Sequence, residues 1–171
     1  PVSLLESTVD PSHKTVCIYS LGNAVSNQRT GVSDLFPPGY TEDGAMLTVT
    51  FEKYSDGRVY LANTDVIPTW VNMHSNKGIR EYNILPLVKD NEEQWKESYE
   101  LTDHQFESCK KSYVRTMGIV GDGLLVCQTY LDQAKIDREQ YYYDLAFHPE
   151  KLTAEAAPAE TVVEETTLPA A

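Results

Sequence analysis

The alternation of hydrophobic and polar residues is clearest between residues 45 and 66. From Ala45 to Tyr54, apolar side chains occupy every second position, at Leu47, Val49 and Phe51. A period of two places these side chains on one face of a β-strand and the threonines between them on the other. Asp56-Gly57 follows, a dipeptide typical of tight hairpin turns, and Val59 to Val66 has the composition of a returning strand. The pattern therefore predicts an antiparallel β-hairpin.

Two further apolar runs predict strands outside the hairpin. Val16 to Tyr19 is bounded by Gly22-Asn23, which is typical of a buried strand that delivers a loop. Tyr82 to Val88 is predicted to be another short strand. Pro68 lacks a backbone donor, and we therefore expect it to end the ladder of the returning strand. Residues 72–78 are polar and are expected to form an exposed loop that contains His74.

A helical pattern begins after residue 90. Asn91 is predicted to cap a short helix, and Thr102 and Gln105 have the spacing of a capping box for a second helix. Gly118 is expected to end that second helix. Within it, apolar residues recur at helical spacing and predict a buried stripe: Phe106, Cys109, Tyr113, Val114 and Met117.

The pattern between residues 121 and 149 is mixed. Gly121-Asp122-Gly123 predicts a turn, residues 124–127 a buried strand or the start of a helix, and residues 132–140 a helix. Tyr141-Tyr142-Tyr143 is interpreted as a strand that buries Tyr142, because neighbouring strand residues point to opposite faces; a stacking platform for a sugar or peptide is the alternative. These elements together predict an α+β fold with a mainly antiparallel sheet, a β-hairpin and two or three helices.

Composition divides the chain into a folded part and a tail. Residues 1–149 have enough apolar side chains for one domain of ordinary size. Residues 150–171 consist mainly of Ala, Thr, Glu and Pro. Such a composition buries too little apolar surface to offset its conformational entropy, and it predicts an acidic, disordered tail.

Net charge excludes some classes of partner. The 171 residues include 26 Asp and Glu against 14 Lys and Arg, a net charge of −12. Phosphate affinity depends on Lys and Arg contacts, so we expect no binding to nucleic acid. No run approaches the roughly 20 apolar residues that span a bilayer. We therefore expect no membrane insertion by this segment, and any signal or anchor would lie upstream of it.

The histidines and cysteines do not form a recognisable metal or nucleophile motif. His13, His74, His104 and His148 lie far apart, and no pair has the spacing that places two ligands on one loop or helix face. We expect no catalytic residue and no metal or other cofactor in this chain. Cys17, Cys109 and Cys127 lie in apolar surroundings and are interpreted as small buried hydrophobes, although one disulfide among them is an alternative.

The loop after residue 19 is rich in hydrogen-bonding side chains. It carries hydroxyl, amide and guanidinium groups within ten positions, at Ser20, Asn23, Ser26, Asn27, Gln28 and Arg29. A simple turn does not use so many polar groups. The plainer interpretation is a loop whose side chains bond to their own backbone.

The string Ile18-Tyr19-Ser20-Leu21-Gly22-Asn23, followed by Gln28, resembles a motif of the bacterial capsule and poly-γ-glutamate synthesis protein CapA family. Ala24 stands where the family usually has an aromatic residue. Looser matches follow at residues 44–46, 66–71 and 82–87, so that the resemblance extends over about residues 1–118. Members of that family resemble calcineurin-like metallophosphatases in fold, with metal ligands on several loops above a β-sandwich.

The resemblance implies that this chain is the C-terminal part of a CapA-like protein. The family's aspartate, Asn-His and His-Pro-His loops are absent here, and we expect the chain to begin just after the last of them. The implied fold is the C-terminal half of the sandwich, with divalent metal ions only in the full-length parent. The implied partners are the upstream half of the parent domain and other capsule or polymer synthesis proteins. The implied location is the cell envelope or the outer face of the bacterial membrane.

The resemblance also implies a candidate site in the polar loop. Ligand contacts, or contacts that orient a ligand, would come from Ser20, Gly22, Asn23, Asn27, Gln28 and Arg29. Two hypotheses for the whole segment stay open: it completes a metal-dependent enzyme, or it is a non-catalytic assembly or ligand-binding module. For Asn23 and Gln28, a ligand-contacting role and a role in holding the loop are both open.

Overall fold

The computed structural model describes residues 1–9, 13–23 and 37–152. Within these residues the fold is α+β, which confirms the predicted class. The strands are β1 (Val2–Glu6), β2 (Lys14–Ile18), β3 (Asp43–Lys53), β4 (Val59–Asn76) and β5 (Ile79–Pro86). The helices are α1 (Trp95–Ser98), α2 (Asp103–Phe147) and α3 (Pro149–Leu152). Residues 1–132 form one compact unit, and a second unit begins at Gln133.

The strands of the first unit form two antiparallel sheets. β1 pairs with β2, and β4 lies between β3 and β5 in a three-stranded sheet. The predicted hairpin is confirmed, because β3 pairs with β4 from Asp43↔Trp70 to Lys53↔Val59. Tyr54 N donates to Arg58 O at 2.9 Å and closes its turn.

Helix α2 covers one face of the three-stranded sheet with two apolar clusters. In the first cluster, Ala45 and Val66 of the sheet and Val2 of β1 pack against Val120, Leu124 and Cys127 of the helix. In the second, Trp70 and Leu85 pack with Trp95, Leu87, Leu101 and Cys109. The stripe is thus confirmed at Cys109, and Phe106, Tyr113 and Met117 pack against the clusters, but Val114 is 68% exposed. Ser112 and Thr116 are buried instead. Because both residues are polar, the hydrophobic pattern of the sequence does not identify this face of the helix.

Pro68 does not end the returning strand, which was the prediction; β4 continues through it to Asn76. Pro68 pairs with Ala45, whose N–H points away from β4 and donates to Leu21 O at 2.8 Å. The backbone groups of Pro68 therefore point to the other side, where β5 has already ended at Pro86. Proline therefore lacks an N–H at a position where no strand residue would accept from it. The carbonyl oxygen of Pro68 still accepts from Leu87 N at 2.8 Å.

The predicted exposed loop at residues 72–78 is also wrong. Residues 72–76 belong to β4, and the turn to β5 consists of Lys77 and Gly78 alone. His74 is half-buried, and its Nε2 lies 3.0 Å from Glu81 Oε2 across the β4–β5 pair. Lys77 and Gly78 both have positive φ, 50° and 83°, which defines a type I′ turn.

Lys77→Asn is expected to raise the free energy of unfolding by about 0.5–1 kcal/mol, because Asn tolerates the left-handed region better than Lys. Equilibrium unfolding in urea measures the change. Gly78→Ala, which introduces a Cβ at a φ of 83°, serves as the opposite control and should lower stability. A Lys77→Asn protein less stable than the parent would contradict the turn assignment.

Several predicted breaks in the helical region are wrong. Helix α2 continues through Gly118 and Gly121-Asp122-Gly123, and the three tyrosines at 141–143 are helical rather than extended. At Gly123, an added Cβ would lie 1.9 Å from Val2 O. The glycine therefore permits close approach of β1 to the helix and does not form a turn.

The start of α2 follows the capping-box prediction. Gln105 N donates to Thr102 Oγ1 at 3.3 Å, and Thr102 N donates to Gln105 Oε1 at 2.9 Å. Asn91 is not a cap, because it lies inside a 3₁₀ segment, Lys89–Gln94, with a non-helical φ of −113°.

The second unit contains the end of α2 and the short helix α3. Its helical surface carries amide-to-carboxylate bonds one turn apart, from Gln133 Nε2 to Asp137 Oδ1 at 2.8 Å and from Gln140 Nε2 to Asp144 Oδ2 at 2.9 Å. Glu150–Leu152, which the sequence assigned to the tail, belong to α3. The rest of the predicted tail, residues 153–171, lies outside the described residues.

Candidate functional site

The chain leaves β2 and turns against the edge of β3, where residues 20–23 meet residues 39–45; we call this region the corner. Asn23 N donates to Asp43 O at 2.8 Å, and Ala45 N donates to Leu21 O at 2.8 Å. Gly22 and Gly44 form an isolated antiparallel bridge between these bonds. Residues 20–23 and residues 44–45, which are about 20 positions apart in sequence, are thus direct neighbours.

Close backbone approach requires glycine on both sides of the corner. A Cβ at Gly44 would lie 2.5 Å from Asn23 O and 2.6 Å from Thr69 Oγ1. A Cβ at Gly22, whose φ is 67°, would lie 2.6 Å from Asp43 O. None of these three distances is compatible with a side chain, so the two glycines set how tightly the loop joins the sheet.

The side chain of Asn23 bonds to the opposite segment of the corner. Its Nδ2 donates to Thr41 O at 2.6 Å, across 18 residues of sequence. Ser20 Oγ accepts from Gly22 N at 3.3 Å, a local bond that supports the left-handed turn at Gly22. Two roles were left open for Asn23, and this geometry supports the role of holding the loop. A ligand contact by Asn23 stays a prediction.

A half-buried ion pair fixes the β3 side of the corner to helix α2. Arg115 Nε donates to Asp43 Oδ2 at 2.6 Å and Nη2 donates to Asp43 Oδ1 at 2.7 Å. Nη2 also donates to Gly39 O at 3.2 Å, and the guanidinium lies 5.6 Å from the ring centre of Tyr40. The hydrogen bonds to Asp43 raise the pKa of Arg115 above its ordinary value. Two parallel bonds to one carboxylate give this pair a defined geometry.

Trp70 joins the corner to the core. Its indole Nε1 donates to Glu42 Oε2 at 3.0 Å, while the ring is buried between the sheet and α2. Residues 39–45 are therefore held from three directions: by Asn23, by Arg115 and by Trp70.

The structure places half of the candidate site residues. Ser20, Gly22 and Asn23 lie together at the corner, and Asn27, Gln28 and Arg29 lie outside the described residues. Sequence reasoning did not find Thr41, Asp43 or Arg115. Arg115 and Asp43 are 72 residues apart, and nothing in the local pattern of either one indicates the other.

The described contacts of the corner hold backbone segments in place. Both oxygens of Asp43 are bonded to Arg115. The three cysteines are free thiols, and burial raises the pKa of Cys109 to about 12, so that it is not a thiolate at neutral pH. Within residues 1–9, 13–23 and 37–152, no three His, Cys, Asp or Glu side chains converge as metal ligands would.

Asn23→Ala is expected to lower the free energy of unfolding by about 1 kcal/mol, because the carbonyl of Thr41 loses its donor. Thermal unfolding measures this as a midpoint about 2–4 °C lower. Ser20→Ala is the matched control, since its bond is local and exposed, and we expect it to stay within about 0.5 kcal/mol of the parent. Equal losses in both variants would show that the bond to Thr41 carries no particular stability.

Comparisons of the chain with family models, with curated proteins and with solved structures find no match. Among the described helices, none is both long enough and apolar enough to cross a bilayer.

Proposed function

We propose that this chain is the C-terminal segment of a CapA-like protein of capsule or poly-γ-glutamate biosynthesis in the bacterial cell envelope. In this proposal the segment completes the parent domain and is inactive alone, because the metal-binding loops lie upstream. The observation that carries the proposal is the corner. It joins the Gly22-Asn23 motif to Gly44-Ala45-Met46, the two stretches nearest each other in the resemblance, through backbone bonds that only glycine permits.

An apolar sheet face supports the proposed contact with the upstream half. The face of the three-stranded sheet opposite α2 carries Met46, Met73, Tyr82 and Ile84, which are 37–42% exposed. The register places Met73 beside Tyr82 on that face, whereas Val71, beside Ile84, is already buried. Sheets bury such a face against a second layer, and the other half of a β-sandwich would supply it.

A non-catalytic assembly or ligand-binding module is the second candidate, and the same apolar face favours it. The sequence upstream of this segment in the parent distinguishes the two. A parent that carries the aspartate, Asn-His and His-Pro-His loops supports the enzyme, and a parent without them supports the module.

In the complete parent, Asn23→Ala and Gln28→Ala are expected to reduce phosphoesterase turnover or polymer production, by about 10- to 100-fold if the amides orient a ligand or metal-bound water. The thermal midpoint should stay within about 4 °C of the parent protein. Enzyme assays and the amount of cell-surface polymer are the measurements. Variants that unfold early while their folded fraction keeps full activity would overturn the role of the loop.

The isolated chain, in contrast, is expected to bind no divalent transition metal with micromolar affinity, because no suitable set of ligands is grouped in its sequence. Calorimetric titration with zinc and with manganese measures this. Saturable binding that survives removal of any purification tag would contradict the proposal that the metal loops lie elsewhere.

A further inference from the structure

A cavity of about 490 Å³ lies between the end of β4, β5 and the start of α2, away from the corner. This volume is within the range of sites for small ligands. Its lining residues include Asn72, Asn83, Tyr99, Glu100 and Gln105. We propose that the cavity binds a neutral saccharide unit. The inference holds whether or not the chain belongs to a CapA-like parent.

The polar groups at the base of the cavity are fixed before any ligand arrives. Gln105 Nε2 donates to Asn72 Oδ1 at 2.8 Å, and Gln105 Oε1 accepts from Thr102 in the capping box. Asn72 is only 5% exposed. Both amide orientations are therefore set by bonds that also join β4 to α2, so a ligand does not have to order them.

Several hydrogen-bonding groups on the wall have no partner within the described residues. The side chains of Asn83 and Glu100 make no hydrogen bond or ion pair there, and neither does Nδ2 of Asn72. They offer two amides and a carboxylate, a mixture of donors and acceptors. Sugar hydroxyl groups both donate and accept, and they match such a mixture.

Tyr99 gives the cavity an aromatic wall. Its hydroxyl donates to Pro86 O at 2.8 Å, which fixes the ring. A fixed ring beside polar groups suits a ligand that has one apolar face and a hydroxylated edge, as a pyranose has.

Glu100 occupies a backbone conformation that favours glycine. Its φ is 51°. It follows the short helix α1 as the left-handed residue of a Schellman motif, with Leu101 N donating to Lys96 O at 2.9 Å and Glu100 N to Glu97 O at 3.3 Å. Glycine is the usual residue there. The carboxylate of Glu100 makes no hydrogen bond or ion pair within the described residues and is open to a ligand in the cavity.

The charges around the cavity disfavour an anionic ligand. No Lys or Arg is among the lining residues, and Glu100 places a negative charge at the wall. His74, the other titratable side chain besides Tyr99 and Glu100, is held by Glu81 at 3.0 Å. A γ-linked glutamate chain would meet like charge here without a cation to offset it.

The test is a titration of the ¹⁵N-labelled full chain with maltotriose, cellotriose and tri-N-acetylchitotriose, followed by NMR. We expect saturable shifts of the side-chain amides of Asn72, Asn83 and Gln105 with at least one of these probes. Asn83→Ala should weaken that binding about tenfold, the effect of losing hydrogen bonds to the ligand. No saturable shift with any probe, or saturation of these amides by a γ-glutamate oligomer instead, would overturn the proposal.

Glu100 provides an independent test that separates binding from folding. Glu100→Gly is expected to raise the thermal midpoint by about 2–4 °C and to weaken saccharide binding. Glu100→Gln, which keeps the backbone strain, should weaken binding without the gain in stability. Glu97→Gln removes a nearby carboxylate outside the cavity and should bind as the parent does. Unchanged affinity in both Glu100 variants would overturn the assignment of Glu100 to the ligand.

Discussion

Gly123→Ala is expected to lower the free energy of unfolding by about 2 kcal/mol. The added Cβ would lie 1.9 Å from Val2 O, so β1 or the helix must shift. Overpacking of this kind costs about 3 kcal/mol at the upper end of its usual range. Alanine is the better helix former by about 1 kcal/mol, and this gain offsets only part of the loss. Thermal unfolding should show a midpoint about 4–8 °C lower.

Gly118→Ala on the same helix is the matched control. A Cβ there meets no atom within 4 Å, and the residue is exposed. Only the gain in helix propensity applies, so we expect the free energy of unfolding to rise by about 1 kcal/mol and the thermal midpoint by about 2–4 °C. The two variants have the same chemistry and opposite expected signs. Destabilisation by both would show that α2 is not a continuous helix at Gly118, and stabilisation by both would show that β1 does not approach it at Gly123.

Elements that depend on local chemistry were predictable from the sequence. The hairpin of β3 and β4 follows from the alternation in β3 and the Asp56-Gly57 dipeptide after it, and the start of α2 follows from Thr102 and Gln105. In each case the residues that specify the structure are close together in sequence. The α+β class followed from the presence of both patterns.

Features that depend on distant neighbours were not predictable. Gly121-Asp122-Gly123 has the composition of a turn, and only the position of Val2 shows why glycine is required at 123. Pro68 is tolerated in β4 because β5 ends at Pro86, a fact of sheet order rather than of local sequence. Both residues were interpreted as breaks because propensity describes a residue in isolation.

The same distinction applies to the candidate site. Gly22-Asn23 was identified because a strand followed by a polar loop is a local signal, and the structure joins it to Gly44. Asp43 and Arg115, which hold the other side of the corner, carry no local signal. Arg115 lies on a helix beside the exposed Val114, and its burial depends on the segment that crosses it.

Arg115→Ala is expected to lower the free energy of unfolding by about 2–3 kcal/mol, because it leaves the Asp43 carboxylate without its two strongest donors. The side chain of Asp43 is only 11% exposed and that of Arg115 20%, so water replaces the lost bonds poorly. A fully buried pair costs about 3–5 kcal/mol to break, and the partial exposure here reduces that figure. Thermal unfolding should show a midpoint about 5–10 °C lower.

A double-mutant cycle with Asp43→Asn and Arg115→Met separates the pair from the rest of the corner. We expect a coupling free energy of at least about 1 kcal/mol, since the double variant no longer leaves a charge unpaired. Arg115→Lys should lie between Arg115→Ala and the parent, because an ammonium group cannot make two parallel bonds to one carboxylate. The same variants also test whether the ion pair and the backbone bonds of the corner are coupled. Loss of Arg115 should increase the rate of hydrogen exchange of the amide of Asn23, which bonds to Asp43 O. Additive losses with no change in that exchange would show that the ion pair and the corner are independent.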